Sequence, residues 1–473
     1  MAVTNNTMIL RRELMARMIK LLVDGELRQN IDRIPYLMRP KGSEASRCCV
    51  YKDRAMLKYR AMGFLGFGVD DEVDEMTSLA QYGDIAFARE KVGREPLSVM
   101  DEACSACVKI NYVVTNMCRG CVARPCAMNC SKHAISFHQG QAHIDASLCV
   151  NCGLCQKNCP FHAIIYQPVP CEEACPVGAI TKDERGKEHI DPNKCIYCGR
   201  CIEACPFGAV MERSHLVDIF RAMKNPDKEV VAIVAPAIAG QFKSTLANIL
   251  GAIGKLGFDK VYEVARGADI TTEKEAEEFI AKMAQGEPFM TTSCCPSYYM
   301  LAWRHLPELK PFVSHTRSPM YYSGELVKKE NPDAVVVFIG PCMAKRYEAY
   351  SDPNVDYVLS FEEIGTMMVA MGVDAFSDTP TELDPSIDPS SRGYANSGGV
   401  MAAVAKKVGD RAEIRPVVVS GITKQTIREM RAYATSCPGN MVEVMACEGG
   451  CVNGCNVIAN PKVASMQVKQ YSK

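Results

Sequence analysis

The spacing of hydrophobic and polar residues changes twice along this chain and divides it into three regions. In residues 1–100, apolar side chains such as Leu14 and Met18 recur at helical spacing between charged ones, which predicts an α-helical N-terminal region. Residues 101–212 lose this periodicity and contain most of the cysteines. In residues 228–473, short apolar runs alternate with helical patterns, so this region is predicted to be an α/β domain.

The apolar runs of the C-terminal region predict largely parallel β-sheets with helices on both faces. These runs cover residues 230–235, 334–339, 415–420 and 441–446. Helical patterns such as 272–283 and 422–433 separate them. In such sheets, ligands bind beyond the carboxyl ends of the strands. Cys342 and Cys447 follow two of the runs and Cys294–Cys295 follow a shorter one, so three segments remote in sequence are expected to meet at one pocket.

The composition is that of a globular protein large enough for about three domains. Its 473 residues are 48% hydrophobic, and 54 basic against 55 acidic side chains leave a formal net charge of −1. This balance gives no reason to expect nucleic acid or an anionic membrane as a partner. No window approaches about 18 continuous apolar residues, and the N-terminus lacks the apolar core of a secretory signal. A cytoplasmic location is therefore expected.

Twenty-five cysteines make this composition unusual. They are crowded into C-x2-C and C-x3-C spacings, in a chain far too long for a disulfide-stabilised mini-protein, which indicates metal ligation. One half-module occurs four times between Cys104 and Cys205, and each copy has a cysteine followed four residues later by Ala-Ile or Ala-Val. The cysteines in question are Cys130, Cys159, Cys175 and Cys205.

Two copies resemble the cluster-binding runs of bacterial ferredoxins. They carry the full C-x2-C-x2-C-x3-C-P pattern, at residues 149–160 and 195–206. In that family, the first three cysteines hold one [4Fe–4S] cluster and the fourth reaches across to the neighbouring cluster. The resemblance implies that residues 101–212 form a ferredoxin-like α+β iron–sulfur domain of two bicluster modules.

The other two copies depart from the ferredoxin pattern. The run at residues 118–130 has a wider middle gap, similar to the ferredoxin-like subunits of molybdopterin oxidoreductases. The last copy keeps only Cys171 and Cys175, and the upstream pair Cys104 and Cys107 could supply the missing ligands. Crosswise pairing then gives four quartets: Cys118/Cys121/Cys126/Cys159, Cys130/Cys149/Cys152/Cys155, Cys175/Cys195/Cys198/Cys201 and Cys104/Cys107/Cys171/Cys205. Four accessory clusters are predicted, or three if Cys104 and Cys107 are only structural.

Three further motifs carry a resemblance to the catalytic domain of [FeFe]-hydrogenases. They stand in the family's order as Thr292-Ser-Cys-Cys-Pro-Ser-Tyr298, Pro341-Cys-Met-Ala-Lys-Arg-Tyr-Glu348 and Met445-Ala-Cys-Glu-Gly-Gly-Cys451. The resemblance covers roughly residues 227–472. It implies an H-cluster, in which a [4Fe–4S] cubane is joined through one cysteine sulfur to a di-iron unit bearing CO, CN⁻ and a dithiolate bridge.

The resemblance assigns a role to each cysteine of these motifs. Cys295, Cys342 and Cys447 would bind the cubane, and Cys451 would bridge the cubane to the di-iron unit. Cys294 would exchange protons with the dithiolate bridge. The alternative is that Cys294 only packs in the core as a small hydrophobic side chain.

The resemblance also implies a hydrogen-bond donor for cyanide and a proton path. Lys345 would donate to a cyanide ligand, whereas outside this motif it would be read as a surface lysine. Glu275 and Glu278 share one helix face at i,i+3 spacing and would relay protons with Ser314, with Lys282 at the outer end. For an isolated acidic helix, the alternative is a solvated face.

Three positions near these motifs depart from the family's best-studied members. Gly340 stands where those members have methionine, Met320 where they have glutamine, and Tyr298 where they have tryptophan. Such neighbours tune potential and solvent access. The pattern resembles the divergent subgroup called group B.

The predicted function is reversible reduction of protons to H2, with electrons relayed through [4Fe–4S] clusters to or from a ferredoxin- or flavodoxin-type carrier. Di-iron maturation proteins are expected as further partners. The alternatives are a hydrogenase-like H2 sensor and a non-catalytic iron–sulfur protein that holds only the cubane. Cys48 and Cys49 are predicted to be two packed thiols, with redox sensing or ligation as the alternative, and Cys455 is also predicted to be a packed thiol.

Overall fold

The computed structural model describes residues 5–104, 107–108, 110–376 and 380–473. Its first part is helical, as predicted. The helices there are α1 (Asn6–Asp24), α2 (Leu27–Asn30), α3 (Ile34–Met38), α4 (Val50–Phe64) and α5 (Leu79–Ala88). α1 begins where the Asn5 side chain accepts a hydrogen bond from the Met8 N–H, and it ends at Gly25, which has a left-handed φ of 76°.

Small antiparallel sheets and short helices make up the cysteine-rich region. Its elements are β1 (Leu97–Val99), β2 (Tyr112–Val114), α6 (Pro125–Met128), β3 (Ile135–His138), β4 (Gln141–Ile144), α7 (Leu154–Asn158), β5 (Ile164–Tyr166), α8 (Pro170–Ala174), β6 (Ile180–Lys182), β7 (Glu188–Ile190), α9 (Arg200–Ala204) and β8 (Val210–Glu212). The pairs are β1 with β8, β2 with β5, β3 with β4 and β6 with β7. β1 lies before residue 100, yet it pairs with the last strand of this region.

The cysteine loops repeat the same backbone shape. Gly153 and Gly199 precede α7 and α9 with left-handed φ values of 79° and 78°. Two residues earlier, Asn151 and Tyr197 have φ values of 54° and 50°. The sequence repeat is therefore a structural repeat, in which each cysteine run makes the same turn.

The C-terminal region is an α/β domain, as predicted. It follows α10 (Leu216–Met223) and comprises β9 (Val230–Val234), α11 (Leu246–Gly254), β10 (Lys260–Glu263), α12 (Ala265–Ala284), β11 (Met290–Thr291), α13 (Pro296–Arg304), α14 (Pro319–Glu330), β12 (Val335–Gly340), α15 (Met343–Ser351), β13 (Tyr357–Ser360), α16 (Phe361–Met371), α17 (Pro389–Arg392), α18 (Gly399–Val408), β14 (Pro416–Ser420), α19 (Lys424–Tyr433), β15 (Met441–Met445) and α20 (Pro461–Tyr471).

The strands of this domain form two parallel sheets. One sheet has the order β10-β9-β12-β13 and the other the order β11-β15-β14. Every residue of β9 and β15 is buried, because both are central strands covered by helices. All four long apolar runs form strands, so the predicted fold class is confirmed. β10 and β13 escaped prediction because each is only four residues long and half polar.

A buried network of charges joins the three regions. Arg346 of α15 is fully buried between Glu363 of α16 and Glu212 of β8. Arg11 of α1 forms ion pairs with Glu212 and with Glu362, the latter at 2.6 Å. Charges buried this deeply are tolerated because each one faces an opposite charge. In the described part of the chain, no helix combines the length and apolar character needed to cross a bilayer.

Candidate functional site

The three cysteine motifs of the C-terminal domain meet beyond the carboxyl ends of strands from both sheets. Cys342 follows β12 and caps α15, Cys447 follows β15, and Cys294 and Cys295 lie between β11 and α13. Together with Cys451, they line one cavity of about 100 Å³. The structure thus brings together the five cysteines that sequence analysis proposed for this site.

The thiols of this cavity are held in an environment that disfavours free thiolates. Burial, reinforced by neighbouring thiols, raises the pKa of Cys342 and of Cys451 to about 12. Burial likewise raises the pKa of Cys295 and of Cys447. Four such thiols can ionise together only beside a strong positive charge. A set of four cysteine sulfurs around one cavity is the donor set of a [4Fe–4S] cubane, so these residues fit an iron–sulfur group.

The glycine turn between Cys447 and Cys451 is required by close packing. Gly449 and Gly450 have left-handed φ values of 81° and 100°. A Cβ on Gly450 would lie 2.5 Å from the Ala395 carbonyl oxygen, so no larger residue fits. The turn allows both cysteines to face the same cavity.

Lys345 provides a positive charge in the cavity wall. Its side chain is buried in the first turn of α15, and its Nζ lies 2.6 Å from the Glu348 carboxylate. Burial alone would lower the pKa of Lys345, but Glu348 and the thiols of Cys342 and Cys294 raise it. The residue is therefore a fixed ammonium that can donate to an anionic ligand in the cavity.

Behind the cavity, Cys294 lies next to a fully buried carboxyl group. Burial raises the pKa of Cys294, and the next largest cause is the charge of Glu275. Glu275 Oε1 accepts a hydrogen bond from the Ser293 N–H at 3.1 Å, while Oε2 has no hydrogen-bond partner among the described residues. Burial raises the pKa of Glu275 to about 8. Both groups therefore hold a proton at neutral pH.

The outer carboxyl, Glu278, has a different environment. It accepts hydrogen bonds from the Ser314 hydroxyl at 2.7 Å and the His315 N–H at 3.0 Å, and it pairs with Lys282 at 3.3 Å. Burial alone would raise the pKa of Glu278, but these donors and the lysine lower it. The two carboxyls on this face of α12 thus differ in protonation, as an acid–base pair requires.

Sequence analysis missed several polar residues of this region. Ser293 donates to Glu275, and its place inside the first cysteine motif was the available signal. Tyr394 lines the cavity and its hydroxyl lies 2.8 Å from that of Thr272, for which the sequence offers no signal. Glu443 is a single carboxylate in the apolar strand β15, and it accepts hydrogen bonds from N–H groups at the start of α18.

The three departures from the family pattern lie close to the cavity. Met320 and Phe338 line it. A Cβ at Gly340 would lie 2.4 Å from the Phe338 ring, so glycine here makes room for that ring. Tyr298 is fully buried and donates to the Thr291 hydroxyl at 2.8 Å. Met320 therefore changes the cavity wall directly, and Gly340 changes it through the Phe338 ring.

Cys455 occupies the space between the cysteine cavity of the C-terminal domain and an accessory cysteine loop. It lines the cysteine cavity and a second cavity of about 430 Å³. A Cβ on Gly199, next to Cys198, would lie 2.2 Å from the Cys455 sulfur. The thiol thus packs directly against the loop of an accessory quartet.

The sixteen cysteines of the ferredoxin-like region gather in the four combinations predicted by crosswise pairing. Two quartets each line a small cavity: Cys118, Cys121, Cys126 and Cys159 in one, and Cys130, Cys149, Cys152 and Cys155 in the other. In the third, burial and the thiols of Cys198, Cys195 and Cys175 raise the pKa of Cys201. In the fourth, burial raises the pKa of Cys171 to about 12, with contributions from Glu188 and then from Cys205, Cys107 and Cys104.

In three of the four sequence repeats, the repeated turn after the last cysteine places a backbone N–H at that cysteine's sulfur. The N–H groups of Ala134, Ala179 and Ala209 each donate to the sulfur of the cysteine four residues earlier, at 3.4, 3.2 and 3.4 Å. Hydrogen bonds to sulfur are among the features that set the potential of an iron–sulfur cluster. The repeated alanine marks the turn that supplies this donor.

Three family models match the chain. Residues 228–455 match "Iron only hydrogenase large subunit, C-terminal domain", residues 170–209 match "4Fe-4S dicluster domain", and residues 142–165 match "4Fe-4S binding domain". These matches confirm the predicted resemblance of the C-terminal region and the predicted iron–sulfur domains.

Similar proteins include both hydrogenases and assembly proteins. "Iron hydrogenase 1" of Clostridium pasteurianum is 26% identical over 300 residues, which are 51% of this chain and 52% of that protein. "Cytosolic iron-sulfur assembly component 3" of Mus musculus is 24% identical over 310 residues, 51% of this chain and 64% of that protein. The chain thus spans about half the length of the first of these relatives. A solved structure named "Stepwise [FeFe]-hydrogenase H-cluster assembly revealed in the structure of HydA(deltaEFG)" is 22% identical, with a TM-score of 0.45, over 55% of this chain and 88% of that one.

Proposed function

We propose that this chain, whose residues 228–455 match the C-terminal domain of iron-only hydrogenase large subunits, catalyses the reversible reduction of two protons to H2. Cys295, Cys342, Cys447 and Cys451 would hold an H-cluster. When bound, this group would supply the hydrogen-activating redox chemistry. The four accessory quartets would hold [4Fe–4S] clusters that carry electrons one at a time.

The observation that carries this proposal is the buried carboxyl group of Glu275 behind Cys294. Glu275 is fully buried, and its Oε2 lacks a hydrogen-bond partner among the described residues. Burying a polar atom without a partner costs free energy, and groups kept in such an environment cluster at functional sites. A protein that held only a cubane would have no need of a protonated carboxyl beside a free thiol.

Each residue of the proposed path has a different role in proton transfer. The Cys294 thiol holds a proton at the cavity wall, and Glu275 can replace it from behind. Glu278 is kept ionised by Ser314 and Lys282, so it can accept a proton from the outer side. Because the two carboxyls differ in pKa, a proton passes between them in steps rather than being held by a single strong base.

Electrons would enter through residues 110–167, the part of the ferredoxin-like region that holds the first two cysteine quartets. Residues 110–167 contain four basic side chains, including the exposed Arg119 and Lys132, against a single carboxylate. The same segment exposes large apolar side chains, among them Val122 at 99% and Met128 at 79%. A basic surface with apolar side chains suits an acidic ferredoxin- or flavodoxin-type carrier. Such a carrier, the di-iron maturation proteins and a cytoplasmic location all belong to this proposal.

Two other functions draw on specific observations. A non-catalytic iron–sulfur protein is favoured by the similarity to an assembly component, and it would use only the cubane ligands. An H2 sensor is favoured by the altered cavity wall at Met320 and Gly340, since such neighbours tune the reactivity of a metal centre.

Expression with and without the di-iron maturation proteins tests these functions. We expect infrared bands of CO and CN⁻ only after maturation, and iron rising from about 20 to about 22 atoms per chain. Absence of the bands after maturation would overturn the hydrogenase proposal in favour of the cubane-only protein. If the bands appear, fast H2 evolution from a reduced low-potential dye identifies an enzyme, and very slow turnover identifies a sensor.

A further inference from the structure

Cys48 and Cys49 are neighbouring thiols at the protein surface, at the start of α4. Their sulfur atoms lie 3.8 Å apart, Cys48 is exposed, and Cys49 is partly exposed. The prediction of two packed thiols is therefore wrong. The reason is that Cys49 is the N-cap residue of α4, outside the buried face of that helix.

The start of α4 favours the thiolate form of Cys49. The Lys52 N–H lowers the pKa of Cys49, and the Cys48 thiol and the Tyr51 N–H add to this effect, against burial and the charge of Asp53. Thiolate, rather than thiol, is the nucleophile in cysteine chemistry. Cys437 also lies outside the quartets, but burial raises its pKa.

The segment that carries the pair is fixed to its surroundings. Asp53 accepts hydrogen bonds from the Ser46 N–H at 2.8 Å and from the Ser46 hydroxyl at 2.9 Å. The Arg47 guanidinium donates to the Ala103 carbonyl at 3.3 Å and lies 4.7 Å from the centre of the Phe207 ring. Ala103 immediately precedes Cys104 and Phe207 lies two residues after Cys205, so the segment contacts both ends of the fourth quartet.

We propose that Cys48 and Cys49 form a dithiol site that peroxides oxidise reversibly to a disulfide. The Cys49 thiolate attacks a peroxide oxygen, so that an S–O bond forms, the O–O bond breaks and hydroxide or alkoxide leaves. The Cys48 sulfur then attacks the sulfenic sulfur, and water leaves with the Cys48 proton. The two thiols lose two electrons, and the peroxide gains them.

The geometry predicts that this disulfide is easily reduced. Adjacent Cα atoms are about 3.8 Å apart, below the usual range of about 4.4–6.8 Å for disulfides. A strained disulfide has a more oxidising potential and is readily cleaved by thiols. Closing the pair shortens the sulfur–sulfur distance from 3.8 Å to about 2.0 Å. The oxidation of Cys48 and Cys49 does not depend on the proposed hydrogen chemistry.

Peptide mass spectrometry of the anaerobic holoprotein tests the proposal. The protein is treated with one equivalent of hydrogen peroxide, alkylated with iodoacetamide and digested with trypsin, which releases residues 48–52 as one peptide. We expect this peptide to be unalkylated and two hydrogens lighter than the reduced peptide. After reduction with dithiothreitol and a second treatment with iodoacetamide, it should carry two alkyl groups. Without peroxide, Cys49 should alkylate at least about tenfold faster than Cys437.

Two variants separate the roles of the thiols. Cys48→Ser should leave a sulfenic acid on Cys49 that dimedone traps, whereas Cys49→Ser should slow the reaction of peroxide with Cys48 at least about tenfold. The proposal is overturned if the 48–52 peptide stays unchanged at peroxide doses that already bleach the cluster absorbance. Equal alkylation rates for Cys49 and Cys437, or further oxidation of Cys49 in the wild type without a disulfide, would also overturn it.

Discussion

Replacing Glu275 with glutamine should remove most hydrogen turnover while the iron content stays unchanged. Burial raises the pKa of this carboxyl to about 8, against about 4.3 for an ordinary glutamic acid. Since each tenfold change in acidity corresponds to about 1.4 kcal/mol, ionising Glu275 costs about 5 kcal/mol more in the protein than in water. At pH 7 the side chain is therefore mostly the neutral acid. Glutamine matches its shape and charge but has no proton to transfer.

The expected loss of activity follows from the role of the carboxyl as a general acid. Proton transfer by a positioned side chain contributes between about 100-fold and about 10,000-fold, so Glu275→Gln should lower dye-driven H2 evolution by at least about 100-fold. The matched control is Glu273→Gln on the same helix, because Glu273 is exposed and pairs with Lys407 at 3.2 Å. The proton path is refuted if activity falls less than about tenfold, or if both variants lose the same activity.

The same substitution should also change how the free energy of unfolding depends on pH. The folded protein holds a proton on Glu275 up to about pH 8, whereas the unfolded chain releases it near pH 4.3. Wild-type stability from this group therefore decreases as pH rises between these values and stays constant above them. The free energy of unfolding of Glu275→Gln minus that of the wild type should therefore be up to about 5 kcal/mol larger at pH 9 than at pH 4. Thermal unfolding of the two proteins at several pH values measures this gain, and parallel pH curves would contradict it.

Three further outcomes are expected. Cys294→Ala should keep full iron content but lose at least about 100-fold in H2 evolution; loss of iron would instead mark Cys294 as a ligand. Cys104→Ser should lower the iron content by about four atoms per chain, and unchanged iron would favour three accessory clusters. Arg346→Met, which leaves the buried carboxylate of Glu363 without its cation while Glu212 keeps Arg11, should cost about 3–5 kcal/mol and lower the temperature at which cluster absorbance is lost. An unchanged midpoint would show that the Glu363 carboxylate becomes neutral at no cost.

Much of the fold could be predicted from local patterns. Three of the four long apolar runs became the central strands β9, β12 and β15, because strands covered on both faces are apolar at nearly every position; the fourth became the edge strand β14. β10 could not be predicted in this way, since Lys260–Glu263 is only four residues long and has a charged residue at each end, and the edge strand β13 is equally short. The strand β1 was also missed, because three residues carry too little periodicity and its partner β8 lies more than 100 residues away.

The candidate site was predictable where its chemistry depends on spacing along the chain. Short cysteine spacings and a glycine turn are local, so Cys447 and Cys451 could be assigned from the motif alone. Tyr394 could not, because its contact with Thr272 joins elements that are distant in sequence, and Ser293 was marked only by its place inside the first cysteine motif.

The identity and order of the donors can therefore be read from the amino-acid sequence: thiols in ferredoxin spacing, three motifs after strands, and two carboxyls on one helix face. The environment of each group depends on how the whole chain folds. Glu275 holds its proton because packing removes water from around it, and Glu278 loses its proton because Ser314 and Lys282 lie within reach. Burial is a property of the whole fold. For this reason Cys49 is partly exposed at the surface, although its sequence context predicted a packed thiol.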